Sequence, residues 1–183
     1  MFEKLLEKIA SELDKSNIPY MVIGGQAVLL YGEPRLTRDI DITLGVSTNQ
    51  LDKILGVVET IGLNPLVDPE TFTMKTMVLP CRSPDTDIRV DFIFSFSPYE
   101  QQAMERVRIV QMGNGNVKFA SAEDLIIHKI FAGRPRDLED VENVLIKNPE
   151  VDIAYVRHWL TELSDVVKKP FLAQFDKALK KIQ

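Results

Sequence analysis

Phe2, Leu5, Leu6, Ile9 and Leu13 recur at helical spacing, so the chain predicts an amphipathic helix over 2–15. Asn17 and Pro19 end it. Tyr20-Met21-Val22-Ile23 is a short apolar run with the pattern of a buried strand, and it stops at Gly24-Gly25. Gln26 to Tyr31 then predicts a short apolar helix, closed by Gly32 and Pro34. Asp39 to Leu44 alternates polar and apolar residues, the period of a strand. Helical spacing returns from Thr48 to Ile61, with Leu51, Ile54, Leu55, Val58 and Ile61 apolar and Gly62 as the stop.

Past Pro65 and Pro69, Thr71 to Leu79 predicts a strand. Asp87 to Phe94 is the clearest strand in the chain, with Asp87, Arg89 and Asp91 on one face and Ile88, Val90 and Phe92 on the other. Arg106 to Met112 and Asn116 to Phe119 flank Gly113-Asn114-Gly115, a hairpin signal. Ser121 is a good N-cap before Leu125-Ile126-Ile127. Helices are expected at 137–147, 152–163 and 171–182, with breaks at Asn148-Pro149 and Pro170. No repeat or low-complexity tract interrupts the pattern. The expected layout is an α/β core over 1–119 and a helical segment over 120–183.

Composition narrows the class. With 183 residues, 45% hydrophobic and 27% charged, the chain suits one globular domain with a small appendage. Such a chain buries roughly 70% of its unfolded surface and needs no disulfide or metal to fold. Lys and Arg number 22 and Asp and Glu 27, a net charge of -5 that argues against wrapping nucleic acid on a basic surface. Residues 1–115 hold 11 basic and 16 acidic residues, and residues 116–183 hold 11 of each, so all of the excess acid lies in the first part. The single cysteine, Cys81, has no internal disulfide partner, and no Cys/His spacing suits zinc. The N-terminus does not read as a signal peptide, and the apolar run at Tyr20–Leu30 is far short of a membrane span. A cytoplasmic setting without membrane contact is expected.

The candidate chemistry lies in Gly24-Gly25, then Asp39-Ile40-Asp41, then Asp91. Positions i and i+2 of a strand share a face, so Asp39 and Asp41 project side by side, roughly 6–7 Å apart at Cα. Two unpaired carboxylates that close repel each other, and a divalent cation relieves the repulsion. Hard oxygen ligands in small number suit Mg²⁺ shared with substrate phosphates, with Mn²⁺ as an alternative. A third carboxylate on a neighbouring strand would let two ions sit about 3.5–4 Å apart, the spacing of in-line phosphoryl displacement. Asp91 is the best candidate, and it could also take the proton of an attacking hydroxyl. A glycine pair before a helix lets backbone approach a phosphate, and the helix N-terminus favours an anion.

Each element alone has a plainer reading, as solvent-facing acids and a simple turn. Arg134 and Arg136 could pair with Glu139 and Asp140, Asp137 could cap its helix, and Lys129 could be a solvated helix residue. Asp87 shares the face of Asp91 but reads as exposed. His128 and His158 lack a second His or Cys at ligand spacing and read as structural. Trp159, Tyr155 and Leu160 read as core, Cys81 as inert, and the lysine pairs 168–169 and 180–181 as solvated helix ends. The P-loop signature is absent from the sequence.

Gly24-Gly25-Gln26-Ala27-Val28, Gly32 and the run from Pro34 through Arg35 to Ile42 resemble the opening motif of the DNA polymerase β-like nucleotidyltransferase superfamily. The likeness is nearest to the branch of minimal nucleotidyltransferases and AbiEii-type toxins. Many superfamily members have Gly-Ser where this chain has Gly24-Gly25. The likeness continues through Asp91, the stretch 120–125, Lys129 and Gly133-Arg134-Pro135-Arg136-Asp137. It implies an α/β nucleotidyltransferase fold, a mixed sheet with helices packed on one side, and Mg²⁺-dependent transfer of an NMP from an NTP to a hydroxyl or similar acceptor. By the same likeness, Asp39, Asp41 and Asp91 are catalytic and bind the metals. Gly24, Gly25, Lys129 and Arg136 contact the nucleotide, with Arg134 assisting and Lys75 as a weaker alternative. The implied acceptor is a tRNA, a protein or a small molecule, and a toxin role would bring an antitoxin partner. The alternative is a catalytically inactive member that binds nucleotide or a partner protein.

Overall fold

The computed structural model describes residues 2–34 and 36–182. Arg35, part of the opening motif, lies outside the described residues.

The predicted elements appear largely where the hydrophobic pattern put them. Helix α1 (Phe2–Lys15) buries Leu5, Leu6, Ile9 and Leu13. Strand β1 (Tyr20–Ile23) is buried at all four positions. Helix α2 (Gly24–Tyr31) starts two residues earlier than the spacing predicts, so the glycine pair is its first turn rather than a loop before it. Strand β2 (Asp39–Leu44) follows, then helix α3 (Leu51–Ile61), which is preceded by a short 3₁₀ turn and closed by Gly62 at φ +79°.

The strand expected over 71–79 is not there. Its first part is helix α4 (Pro69–Thr76), and only then does strand β4 (Val78–Arg82) begin, paired with the short β3 (Asn64–Pro65). The local signals outweigh the β-branched threonines. The Asp68 carboxylate accepts the Thr71 N–H, and Pro69 takes the first helical position, where its missing N–H costs nothing. Strand β5 (Arg89–Phe94) starts two residues later than expected because Asp87 sits at φ +57° in the preceding turn. Helix α5 (Pro98–Glu105) is an addition, set by a capping box between Ser97 and Glu100. Strands β6 (Arg108–Met112) and β7 (Gly115–Phe119) form the expected hairpin. The helical part holds α6 (Ala122–Ala132), capped by Ser121, then α7 (Pro135–Lys147), α8 (Ile153–Val167) and α9 (Phe171–Ile182).

The seven strands form one mixed sheet in the order β3-β4-β5-β2-β1-β7-β6. β2–β5 and β1–β7 pair in parallel, and the other neighbours are antiparallel. Ile40, Ile42, Val90 and Phe92 are wholly buried, whereas the alternate residues Asp39, Asp41, Arg89 and Asp91 keep some exposure. One face of the β2–β5 pair is therefore core, and the other carries the charged residues. Among the described residues no helix is long and apolar enough to cross a membrane.

Candidate active site

The parallel register of β2 and β5 sets Asp41 directly opposite Asp91, and Asp39 opposite Arg89. Directly opposed residues on adjacent strands share a face, so the three carboxylates stand together with one guanidinium. Asp41 also pairs with Ile23 across β1, which brings it against the start of α2. There Gly24 adopts φ +63°, and a Cβ on it would lie 2.0 Å from Asp41 Oδ2. Both facts demand glycine at this position. Gly25 is confined in a different way. A Cβ there would lie 2.5 Å from Thr37 Oγ1, so the Thr37 hydroxyl fills the space that a larger residue 25 would need.

These residues border a polar cavity of about 640 Å³ that also takes in Arg38, Lys129, Arg134 and Arg136. Burial raises the Asp41 carboxyl from 3.8 to about 6, and the charges of Asp91 and Asp39 push the same way against Lys129 and Arg134. Asp91 accepts a 2.8 Å hydrogen bond from Arg89 Nε and is 17% exposed at its side chain. Among the described residues, no three His, Cys, Asp or Glu side chains are gathered closely enough to hold a metal ion. The donor set nevertheless suits a hard dication in kind: three carboxylates share one face, and one has a proton affinity raised by burial and by its acidic neighbours.

Lys129 is not a solvated helix residue. It is 4% exposed, and its Nζ lies 2.8 Å from both Asp137 Oδ1 and Asp140 Oδ2. Arg134 Nε adds a 2.6 Å contact to Asp137 Oδ2. Burial alone would raise the Asp137 carboxyl, but hydrogen bonds from Arg134 and Lys129, together with their charges, hold it below the ordinary value. Arg134 thus pairs with Asp137 rather than with Glu139 or Asp140, while Arg136 is exposed at the cavity edge. Asp87 stays outside the site, 84% exposed and paired with Arg82. Lys75 borders a different groove, with Asp52 and Glu70. Cys81 is buried, and burial pushes its thiol up to about 12, which makes it inert.

Sequence reasoning passed over Arg38, Arg89 and Thr37. Arg89 had a readable signal, because it sits two residues before Asp91 on the polar face. Arg38 and Thr37 lie within the motif run 34–42, but a loop has no period from which to infer where they point.

The chain resembles several solved structures in fold. The antibiotic-resistance factor ANT(2'')-Ia is 15% identical, with a TM-score of 0.63 over 91% of this chain and 94% of its own. An antigenic nucleotidyltransferase-like protein from Paracoccidioides brasiliensis is 18% identical, with a TM-score of 0.58 over 96% and 92%. The lincosamide antibiotic adenylyltransferase LnuA, solved with lincomycin bound, is 19% identical, with a TM-score of 0.53 over 77% and 94%. No curated protein matches the sequence. A family model matches residues 1–178, almost the whole chain, and so the protein belongs to the nucleotidyltransferases of unknown function grouped as DUF6036.

Proposed function

We propose that the protein transfers a nucleoside monophosphate from an NTP to a hydroxyl acceptor, with Mg²⁺ as cofactor. The observation that carries this is the opposition of Asp41 and Asp91 across parallel strands, with Gly24 packed against Asp41. The acceptor oxygen bonds to the α-phosphorus, the bond from that phosphorus to the bridging oxygen breaks, and pyrophosphate leaves. Asp39, Asp41 and Asp91 would hold the metal. Bound there, Mg²⁺ supplies positive charge to the triphosphate and to the charge that develops in transfer. Asp91 takes the acceptor proton on the oxygen that Arg89 leaves free. Gly24 and Gly25 present the first N–H groups of α2 to the β- and γ-phosphates. Arg136 meets the triphosphate at the cavity edge, and Arg134 assists. Lys129 carries its charge to the same cavity while its two aspartates hold it in place.

On this reading, residues 1–119 form the catalytic core, and 120–183 form a helical segment that closes the site by bringing in Lys129 and Arg134. A small-molecule acceptor is supported by fold neighbours described with tobramycin and lincomycin. A tRNA or protein acceptor, a cytoplasmic AbiEii-type toxin role and an antitoxin partner rest on the sequence likeness alone. One observation favours a second reading, that of an inactive nucleotide- or partner-binding member: Arg89 engages the carboxylate that would complete the metal site. Incubation with each α-labelled NTP, Mg²⁺ and acceptor panels of the three classes separates the two. Transfer that stops in Asp41→Asn supports the enzyme, and NTP binding of equal strength with and without metal supports the inactive member.

A further inference from the structure

The two glycines that open α2 are bare for different reasons. Gly24 sits at positive φ, whereas Gly25 does not, so the backbone conformation at Gly25 would admit a side chain. What excludes one is Thr37, from the segment that leads into β2. A Cβ on Gly25 would lie 2.5 Å from Thr37 Oγ1 and 2.8 Å from Thr37 Cβ. The missing side chain of Gly25 is therefore the space into which the Thr37 hydroxyl is set. That hydroxyl is half-buried and lines the polar cavity together with Gly24, Gly25 and Asp39. It is also loosely engaged. Oγ1 donates to the Asp39 carbonyl over 3.3 Å, beyond the roughly 2.5–3.0 Å of a well-formed O–H···O bond. The turn it overlies has no side-chain cap, because Ile23 at the N-cap carries no polar group.

We propose that the Thr37 hydroxyl is a phosphate contact of this site: it hydrogen-bonds the terminal phosphates of the NTP where the first N–H groups of α2 receive them. The inference rests on the nucleotidyl-transfer reading above and adds a contact residue to it. On binding, the hydroxyl turns from the Asp39 carbonyl to an anionic oxygen. It thereby exchanges a long bond to a neutral acceptor for a charge-assisted one. The donor comes from the strand side of the cavity, so the phosphates are gripped between two separate parts of the chain. The segment that supplies it runs straight into Asp39, the first residue of β2. One short stretch of backbone then fixes the phosphate contact relative to a carboxylate that would hold the metal.

The test is calorimetric titration of inorganic tripolyphosphate and of α,β-methylene ATP into the full chain with Mg²⁺. Thr37→Val keeps the branched shape against Gly25 and removes the hydroxyl. It weakens both ligands about tenfold or more, the worth of a hydrogen bond to a charged group. Thr37→Ser keeps the hydroxyl and binds within about threefold of the parent. Gly25→Ser alone collides with Thr37 and loses about tenfold or more, whereas Gly25→Ser combined with Thr37→Ala carries the hydroxyl across the same gap and returns to within about threefold of the parent. Parent affinity in Thr37→Val overturns the contact and leaves nucleotidyl transfer standing. A loss in Thr37→Ser as large as that in Thr37→Val also overturns it, since the side chain then acts by packing alone. So does a folded double variant that binds no better than Gly25→Ser. Should Thr37→Val or the double variant fail to fold by circular dichroism, the other decides. If neither ligand binds the parent, the nucleotide reading and the contact fall together.

Discussion

Asp41→Asn should stabilise the metal-free protein while abolishing its activity. In the folded chain, burial and the neighbouring charges of Asp91 and Asp39 raise the Asp41 carboxyl from 3.8 to about 6. At about 1.4 kcal/mol per pH unit, holding this residue ionised in the fold costs about 3 kcal/mol. Because the folded value lies above the unfolded one, the protonated form is the stabilised one. Its contribution is full below pH 3.8 and is lost as the pH rises through about 6. Asparagine keeps the shape against Gly24 without the charge. In EDTA at pH 8, the variant should therefore unfold later than the parent. About 3 kcal/mol corresponds to a rise in Tm of about 6–12 °C for a chain of this size, taken as an upper value. Near pH 4 the two proteins should unfold together. The assay is thermal unfolding followed by circular dichroism at half-unit steps from pH 4 to 8. A variant no more stable than the parent at pH 8, or a gap of the same size at every pH, would refute the idea that burial, helped by crowded carboxylates, strains this site.

Other substitutions test its remaining parts. Gly24→Ala forces a left-handed φ on alanine and drives its Cβ into Asp41. It should cost at least about 1–3 kcal/mol in urea unfolding and remove nucleotide binding. Lys129→Met removes the cation that Asp137 and Asp140 share, leaves Asp137 to Arg134, and should cost about 1–3 kcal/mol in urea unfolding at neutral pH. Arg89→Ala releases Asp91. The pair is half-exposed on the arginine side, so Mn²⁺ should bind up to about fivefold more tightly, as read by electron paramagnetic resonance of the free ion. Unchanged Mn²⁺ affinity would mean that Asp91 is not a ligand.

The strand pair that carries the carboxylates was legible because it alternates where they stand: Asp39 to Ile42 and Arg89 to Phe92 each bury every second residue. Strand direction and register were not legible, since no local pattern says which strand will lie beside β2. The threonines at 71, 73 and 76 favoured a strand, and the capping pair Asp68-Pro69 was the overlooked counter-signal. Ser97, Pro98 and Glu100 gave the same kind of signal for α5. Lys129 shows the deeper limit. Its helix predicted position but not partners, and its burial depends on α7 folding back to set Asp137 and Asp140 around the ammonium.

β2 and β5 are parallel neighbours, yet fifty positions separate Asp41 from Asp91 along the chain. No hairpin can bring them together; a long crossover holding α3, α4, β3 and β4 must close first. The proposed reactive centre thus waits on the closure of that whole crossover. A nascent or nicked fragment lacking β5 would carry the first two acids without the third, and on the proposed function would transfer nothing.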